Sequence, residues 1–115
     1  MRVAAIDCGT NSVRLLIAEA AAGGPVEVER ALRLTRLGQG VDATGSFHPD
    51  ALARTFAACD DYAAILADAG VDEVRFVATS AARDAGNREV FFEGVRTRLG
   101  VDVEVISGDE EAQLS

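Results

Sequence analysis

The chain has 115 residues, the length of one ordinary domain, and 49% of them are apolar, which is enough to build a buried core. No apolar run approaches the roughly 18 residues that a membrane-spanning helix needs, so no membrane partner is expected. The net charge of −8 repels polyanions on average and argues against nucleic-acid binding, so any anion site must be built from local cations.

Arg2 to Asp7 and Val13 to Ala20 are apolar runs rich in Val, Ile and Leu, and the intervening Cys8-Gly9-Thr10-Asn11-Ser12 reads as a hairpin turn. The chain opens on this strand without a basic leader or a small-residue cleavage site, which predicts a protein that stays in the cytoplasm. Ala22-Gly23-Gly24-Pro25 ends the second run, and Val26-Glu27-Val28-Glu29 begins a third strand with period-two alternation. Gly38 to Phe47 carries three glycines and reads as a loop. Within it, Gly38-Gln39-Gly40-Val41-Asp42-Ala43 fits the glycine spacing of a dinucleotide fingerprint. That mechanism needs a continuous helix from the second glycine, which Thr44-Gly45-Ser46 and Pro49 forbid.

His48-Pro49-Asp50 marks a helix start, with proline at the first helical position and an acid in the first turn, and His48 is read in that role rather than as a catalyst. The helix should run from Pro49 to about Asp68, with Leu52, Phe56, Cys59, Ala63 and Leu66 on its apolar face, and end at Gly70. Cys8 and Cys59 are too few for a disulfide framework or a zinc cluster and are expected to be small buried thiols. Val74 to Thr79 is a strand, Asn87 to Leu99 a second helix with Phe91, Val95 and Leu99 on one face, and Val101 to Ile106 a last strand. Ser107-Gly108-Asp109-Glu110 has capping-box spacing and predicts a third helix. Two turns of helix are not stable alone, so the natural protein is expected to continue past Ser115.

Three clusters have chemical potential. In Asp7-Cys8-Gly9-Thr10-Asn11-Ser12, successive backbone amides and the Thr and Ser hydroxyls could meet phosphate oxygens, and Asp7 could hold a hydrated cation or orient water. The same residues also suit a plain tight turn. Thr79-Ser80-Ala81-Ala82-Arg83-Asp84-Ala85 lies at the carboxyl end of the fourth strand, where ligands of open α/β sheets collect, so Arg83 could meet an anion or pair with Asp84. In Gly108-Asp109-Glu110-Glu111-Ala112, helix capping accounts for Glu110 and leaves Glu111, a carboxylate able to activate water near phosphate. Every basic residue is Arg and none is Lys, which supplies planar forks suited to phosphate and equally reflects an Ala-rich, Arg-rich composition.

Four segments in order resemble the exopolyphosphatase/guanosine pentaphosphate phosphatase family, a branch of the actin, sugar kinase and heat-shock chaperone superfamily. They are Ile6 to Leu16, Thr35-Arg36-Leu37-Gly38-Gln39-Gly40-Val41, Ala78 to Ala85, and Ile106-Ser107-Gly108-Asp109-Glu110-Glu111-Ala112. The resemblance implies an α/β ribonuclease H-like actin-type nucleotidase fold, a mixed five-stranded sheet with helices packed on it. The order is three strands, helix, strand, helix, strand and the start of a third helix, as read independently above. It further implies that residues 1–115 are the N-terminal half of the domain, without the second subdomain and its second phosphate loop.

By the same resemblance, Asp7, Gly9, Thr10, Asn11 and Ser12 form the first phosphate loop, Arg14 and Arg83 bind substrate phosphates, and Glu111 activates the attacking water. Mg2+ is the implied cofactor, with most ligands expected in the second half and none assigned here. Polyphosphate or guanosine pentaphosphate and tetraphosphate are the implied ligands, and a homodimer the implied assembly. Gln113 stands where many relatives carry Arg. Two other readings stay open: an acceptor-dependent phosphotransferase or ATPase of the same superfamily, and a non-catalytic alarmone- or nucleotide-binding module.

Overall fold

A computed structural model describes residues 1–106, apart from the side chains of Asp42, Ser80 and Ala81. The opening hairpin forms as the alternation of Val, Ile and Leu predicts. Strand β1 (Arg2–Cys8) pairs antiparallel with β2 (Ser12–Glu19), placing Cys8 opposite Val13 and Arg2 opposite Glu19. Strand β3 (Val26–Leu34) pairs antiparallel with β2, with an irregularity at Ile17/Ala18. It runs on well beyond Glu29. Strands β4 (Glu73–Thr79) and β5 (Val103–Ile106) add in parallel on the other side of β1, giving a mixed five-stranded sheet of order β3-β2-β1-β4-β5.

One face of this sheet carries the core. Ala4, Ile6 and Cys8 of β1, Val13, Leu15 and Ile17 of β2, and Phe76 and Ala78 of β4 are buried beneath helices α2 (Pro49–Ala69) and α4 (Arg88–Leu99). The Phe91 ring of α4 packs edge-on against both Phe76, 6.1 Å away, and Phe47, 5.5 Å away. Helix α2 starts as its sequence dictates. His48 caps it through Nδ1, which accepts the Asp50 N–H at 3.0 Å, Pro49 occupies the first helical position, and Gly70 closes it at φ 66°.

The buried face of α2 is rotated from the expected one. Thr55 and Tyr62 lie at its centre while Phe56 and Ala63 are only partly covered. The reason is polar and long-range: the Tyr62 hydroxyl donates to the Val13 carbonyl at 2.6 Å, and the Thr55 hydroxyl turns back onto the Ala51 carbonyl at 2.9 Å. On α4, Phe91 and Val95 are buried as expected and Leu99 only partly.

Two short helices stand where loops were expected. Helix α1 (Val41–Thr44) is one turn, bounded by Gly40 and Gly45, both at φ 72°. It stops after four residues, so no dinucleotide-type helix forms. Helix α3 (Ser80–Asp84) continues directly from β4, because the small residues Ala81 and Ala82 favour a helical turn before Ala85 returns to extended geometry. Strand β5 begins at Val103 rather than Val101, since Asp102 is drawn outward to the Arg96 guanidinium at 2.6 Å. The capping box, Glu110, Glu111 and Gln113 lie outside the described residues.

Candidate phosphate site

The turn Gly9-Thr10-Asn11 joins β1 to β2 and is closed by the Gly9 N–H, which donates to the Ser12 carbonyl at 2.9 Å. Two of its carbonyls are occupied by the segment after β3. The Thr10 carbonyl accepts from the Gly38 N–H at 3.0 Å, and the Asn11 carbonyl accepts from the N–H groups of Thr35 at 3.0 Å and Arg36 at 3.1 Å. This close approach favours a glycine at 38, where a Cβ would stand 3.2 Å from the Thr10 Cβ. Among the described residues, no acceptor takes the N–H of Thr10 or Asn11. At Thr10 and Asn11 the turn therefore has its carbonyls satisfied and two N–H donors to offer, the polarity an anion needs.

The facing segment, Thr35 to Gln39, is held from its other side as well. Arg54 of α2 donates through Nε to the Thr35 carbonyl at 2.8 Å and through Nη2 to Gln39 Oε1. Arg36, between these anchors, has φ 51°, the only positive φ at a non-glycine residue among those described. Between the turn and this segment opens a cavity of about 530 Å³ whose floor includes Cys8, Leu37, Phe47 and Ala82 and whose polar rim includes Thr10, Asn11, Arg36, Gln39 and Thr79. The floor is fixed by Asn87, which accepts from the Phe47 N–H at 2.8 Å and donates to its carbonyl at 3.0 Å. The Cys8 thiol is pushed far up by burial, with the buried Cys59 and the Asp7 carboxylate adding to the effect, so it stays protonated and is no nucleophile.

The residues expected to bind phosphate fall into three places. Gly9, Thr10 and Asn11 line the cavity. Asp7, Ser12 and Arg14 alternate away from Cys8 and Val13 and lie on the sheet face opposite the helices, with Asp7 and Arg14 directly opposed across β1 and β2. Asp7 Oδ1 is buried there with no hydrogen-bond partner among the described residues. Arg83 is exposed in the last turn of α3, outside the cavity lining, and it makes no ion pair with Asp84 or any other described residue. Glu111 lies outside the described residues, so its distance from the turn is not part of this geometry.

Sequence reasoning found the turn but gave no role to Arg36, Gln39 or Arg54. The spacing of Gly38 and Gly40 signalled a specialised loop. The partner of that loop, Arg54, sits fifteen residues from Gln39 and carries no local signal.

Compared with known proteins, the profile described as the Ppx/GppA phosphatase family matches residues 16–115. Exopolyphosphatase 2 of Mycobacterium tuberculosis is 56% identical over 99% of this chain, which spans 39% of that relative's length. Among solved structures, an exopolyphosphatase-like protein superposes with a TM-score of 0.93 at 53% identity, covering 99% of this chain and 35% of the other. A Ppx/GppA family member from Aquifex aeolicus superposes with a TM-score of 0.90 at 39% identity, covering 96% of this chain and 36% of the other.

Proposed function

The chain belongs to the Ppx/GppA phosphatase family, and from that membership we propose that the protein it comes from is a phosphoanhydride hydrolase that releases terminal phosphate from inorganic polyphosphate. The observation that carries the reading is the turn whose Thr10 and Asn11 carbonyls are consumed by the Thr35–Gly38 segment while the amides of the same two residues have no described acceptor. Such a turn holds phosphate oxygens without needing to reorganise during the reaction.

In this proposal the Thr10 and Asn11 amides, with the Thr10 hydroxyl, hold the terminal phosphoryl group, and Ser12, Arg14 and Arg83, which lie outside the cavity lining, meet phosphates farther along the chain. Glu111 takes a proton from water as the water oxygen bonds to phosphorus. The bridging P–O bond then breaks, releasing orthophosphate and a chain one unit shorter. Little covalent work falls to the protein, so positioning and charge neutralisation supply most of the acceleration.

For magnesium, Asp7 Oδ1, buried and without a partner among the described residues, is a donor that fits, and among those residues no group of three His, Cys, Asp or Glu side chains comes together as a metal site. The ion, when bound, would neutralise phosphate charge, and Asp7 would hold it directly or through water. Its other ligands would come from the second half of the domain. We further propose a cytoplasmic homodimer, with guanosine pentaphosphate as a second phosphoanhydride substrate.

Phosphate release by the full-length protein, without any acceptor, tests the proposal. The wild type should shorten polyphosphate, and Glu111→Gln should lower kcat by at least about 100-fold. A Glu111→Gln protein with wild-type turnover removes that residue's role. A wild type that releases phosphate only when an acceptor is added removes the hydrolase reading in favour of a phosphotransferase.

A further inference from the structure

We infer that Arg36 is a substrate-binding residue that sets the preference for consecutive phosphates, gripping a phosphoryl unit beyond the one held by the Thr10 and Asn11 amides. The inference rests on the anion-site reading of the turn and adds a residue to it.

Three observations converge on Arg36. The first is an accounting of cations. Every arginine except Arg14, Arg36 and Arg83 donates to a carboxylate or a backbone carbonyl of another described residue: Arg2, Arg30, Arg33 and Arg54 in the first half, and Arg75, Arg88, Arg96 and Arg98 in the second. In a chain with 19 acidic residues against 11 basic ones, a guanidinium left without a described partner is an exception. Of these three, only Arg36 lines the cavity.

The second is backbone strain. A left-handed φ of 51° at a residue with a long side chain such as arginine costs free energy that glycine or asparagine would avoid. The nearby residue 40, at φ 72°, is a glycine, so the segment uses glycine where a left-handed backbone is all that is needed. Keeping arginine at 36 points to a use for its side chain.

The third is preorganisation. The Arg36 N–H is tied to the Asn11 carbonyl at 3.1 Å, the adjacent Thr35 carbonyl is tied to Arg54, and Gly38 is tied to Thr10. The base of the Arg36 side chain is thus fixed to the same turn that carries the two available amides. A planar fork on a fixed base suits a phosphoryl group with two free oxygens, and the amides and the fork together span adjacent units of a phosphate chain.

The test uses the full-length protein and three ligands: orthophosphate, tripolyphosphate and long-chain polyphosphate. Arg36→Gly relieves the strain while removing the guanidinium, so its thermal midpoint should equal or exceed that of the wild type. Its affinity for tripolyphosphate and polyphosphate should fall about tenfold or more, with KM rising and kcat nearly unchanged. Orthophosphate affinity should stay at the wild-type level. Arg36→Lys should recover part of the loss. Arg36→Asn, which tolerates the same backbone, replaces the glycine variant if that variant folds poorly.

Wild-type affinity for polyphosphate in either strain-free variant overturns the inference. So does an equal loss for orthophosphate and polyphosphate, which would show a damaged turn instead of a missing contact. A wild type that binds no phosphate chain removes the anion-site reading, and this inference falls with it.

Discussion

Burial of single polar side chains decides several properties of this chain. Cys59 is a free, buried thiol whose pKa is pushed up to about 11, chiefly by burial, with Arg98 opposing and Asp60 adding a little. Cys8 and Tyr62 shift in the same direction, again chiefly through burial. The sign follows from linkage: a group whose pKa is raised by folding favours the protonated folded state. Its contribution is complete below the unfolded value near 9 and is lost as pH rises toward 11. We expect the thermal midpoint to fall between pH 9 and pH 11, with a shallower fall in Cys59→Ala, measured by circular dichroism. A midpoint that is flat across that window in the wild type would show that the thiol is accessible. The identity of these thiols was legible from sequence, since two isolated cysteines in apolar runs are ordinary core residues.

Between elements, the α2–α4 contact is closer than side-chain packing alone would allow. A Cβ at Gly94 would overlap the Phe56 ring, which is itself covered by the Arg98 guanidinium 4.4 Å from the ring centroid. Gly94→Ala gains helix propensity of about 1 kcal/mol, yet the overlap is expected to outweigh it and destabilise the protein by about 1–3 kcal/mol net. Denaturant titration reads this directly, and in the Phe56→Ala background the same change should become neutral or stabilising. An equal cost in both backgrounds would place the strain elsewhere. The helix boundaries were readable from His48-Pro49 and Gly70 because caps are local chemistry. The α2 face was not, because Tyr62 is buried for a bond to Val13, 49 residues away.

At the scale of the whole molecule, the sheet is one-sided among the described residues. Helices α2 and α4 cover one face, while Leu16 (39% exposed), Leu32 (55%) and Leu34 (67%) lie open on the other face, on β2 and the edge strand β3. Apolar surface of this kind together with an unpaired edge favours association. Residues 1–115 produced alone should therefore show concentration-dependent association in sedimentation. Leu16→Glu with Leu32→Glu should shift them toward monomer without unfolding the helical layer. Monomeric behaviour of the unsubstituted chain at all concentrations would argue that the face is satisfied within the chain. Among the described residues, no helix is long and apolar enough to cross a membrane.

The amino-acid sequence determined the order of the five strands and the two long helices, the capped ends of α2 and the glycine-containing turn, because each is set by residues within a few positions of one another. It also carried the four ordered segments that mark the family. Tertiary structure alone decided which turn groups remain available. The Thr10 and Asn11 carbonyls are taken by residues some 25 positions away, and Arg54 reaches back across 19 residues to steady that contact. Strand alternation, which is local, puts Asp7 and Arg14 on the face away from the cavity, but only the long-range contacts leave Arg36 on its rim. Local spacing cannot encode this, because it depends on which distant backbone groups satisfy one another.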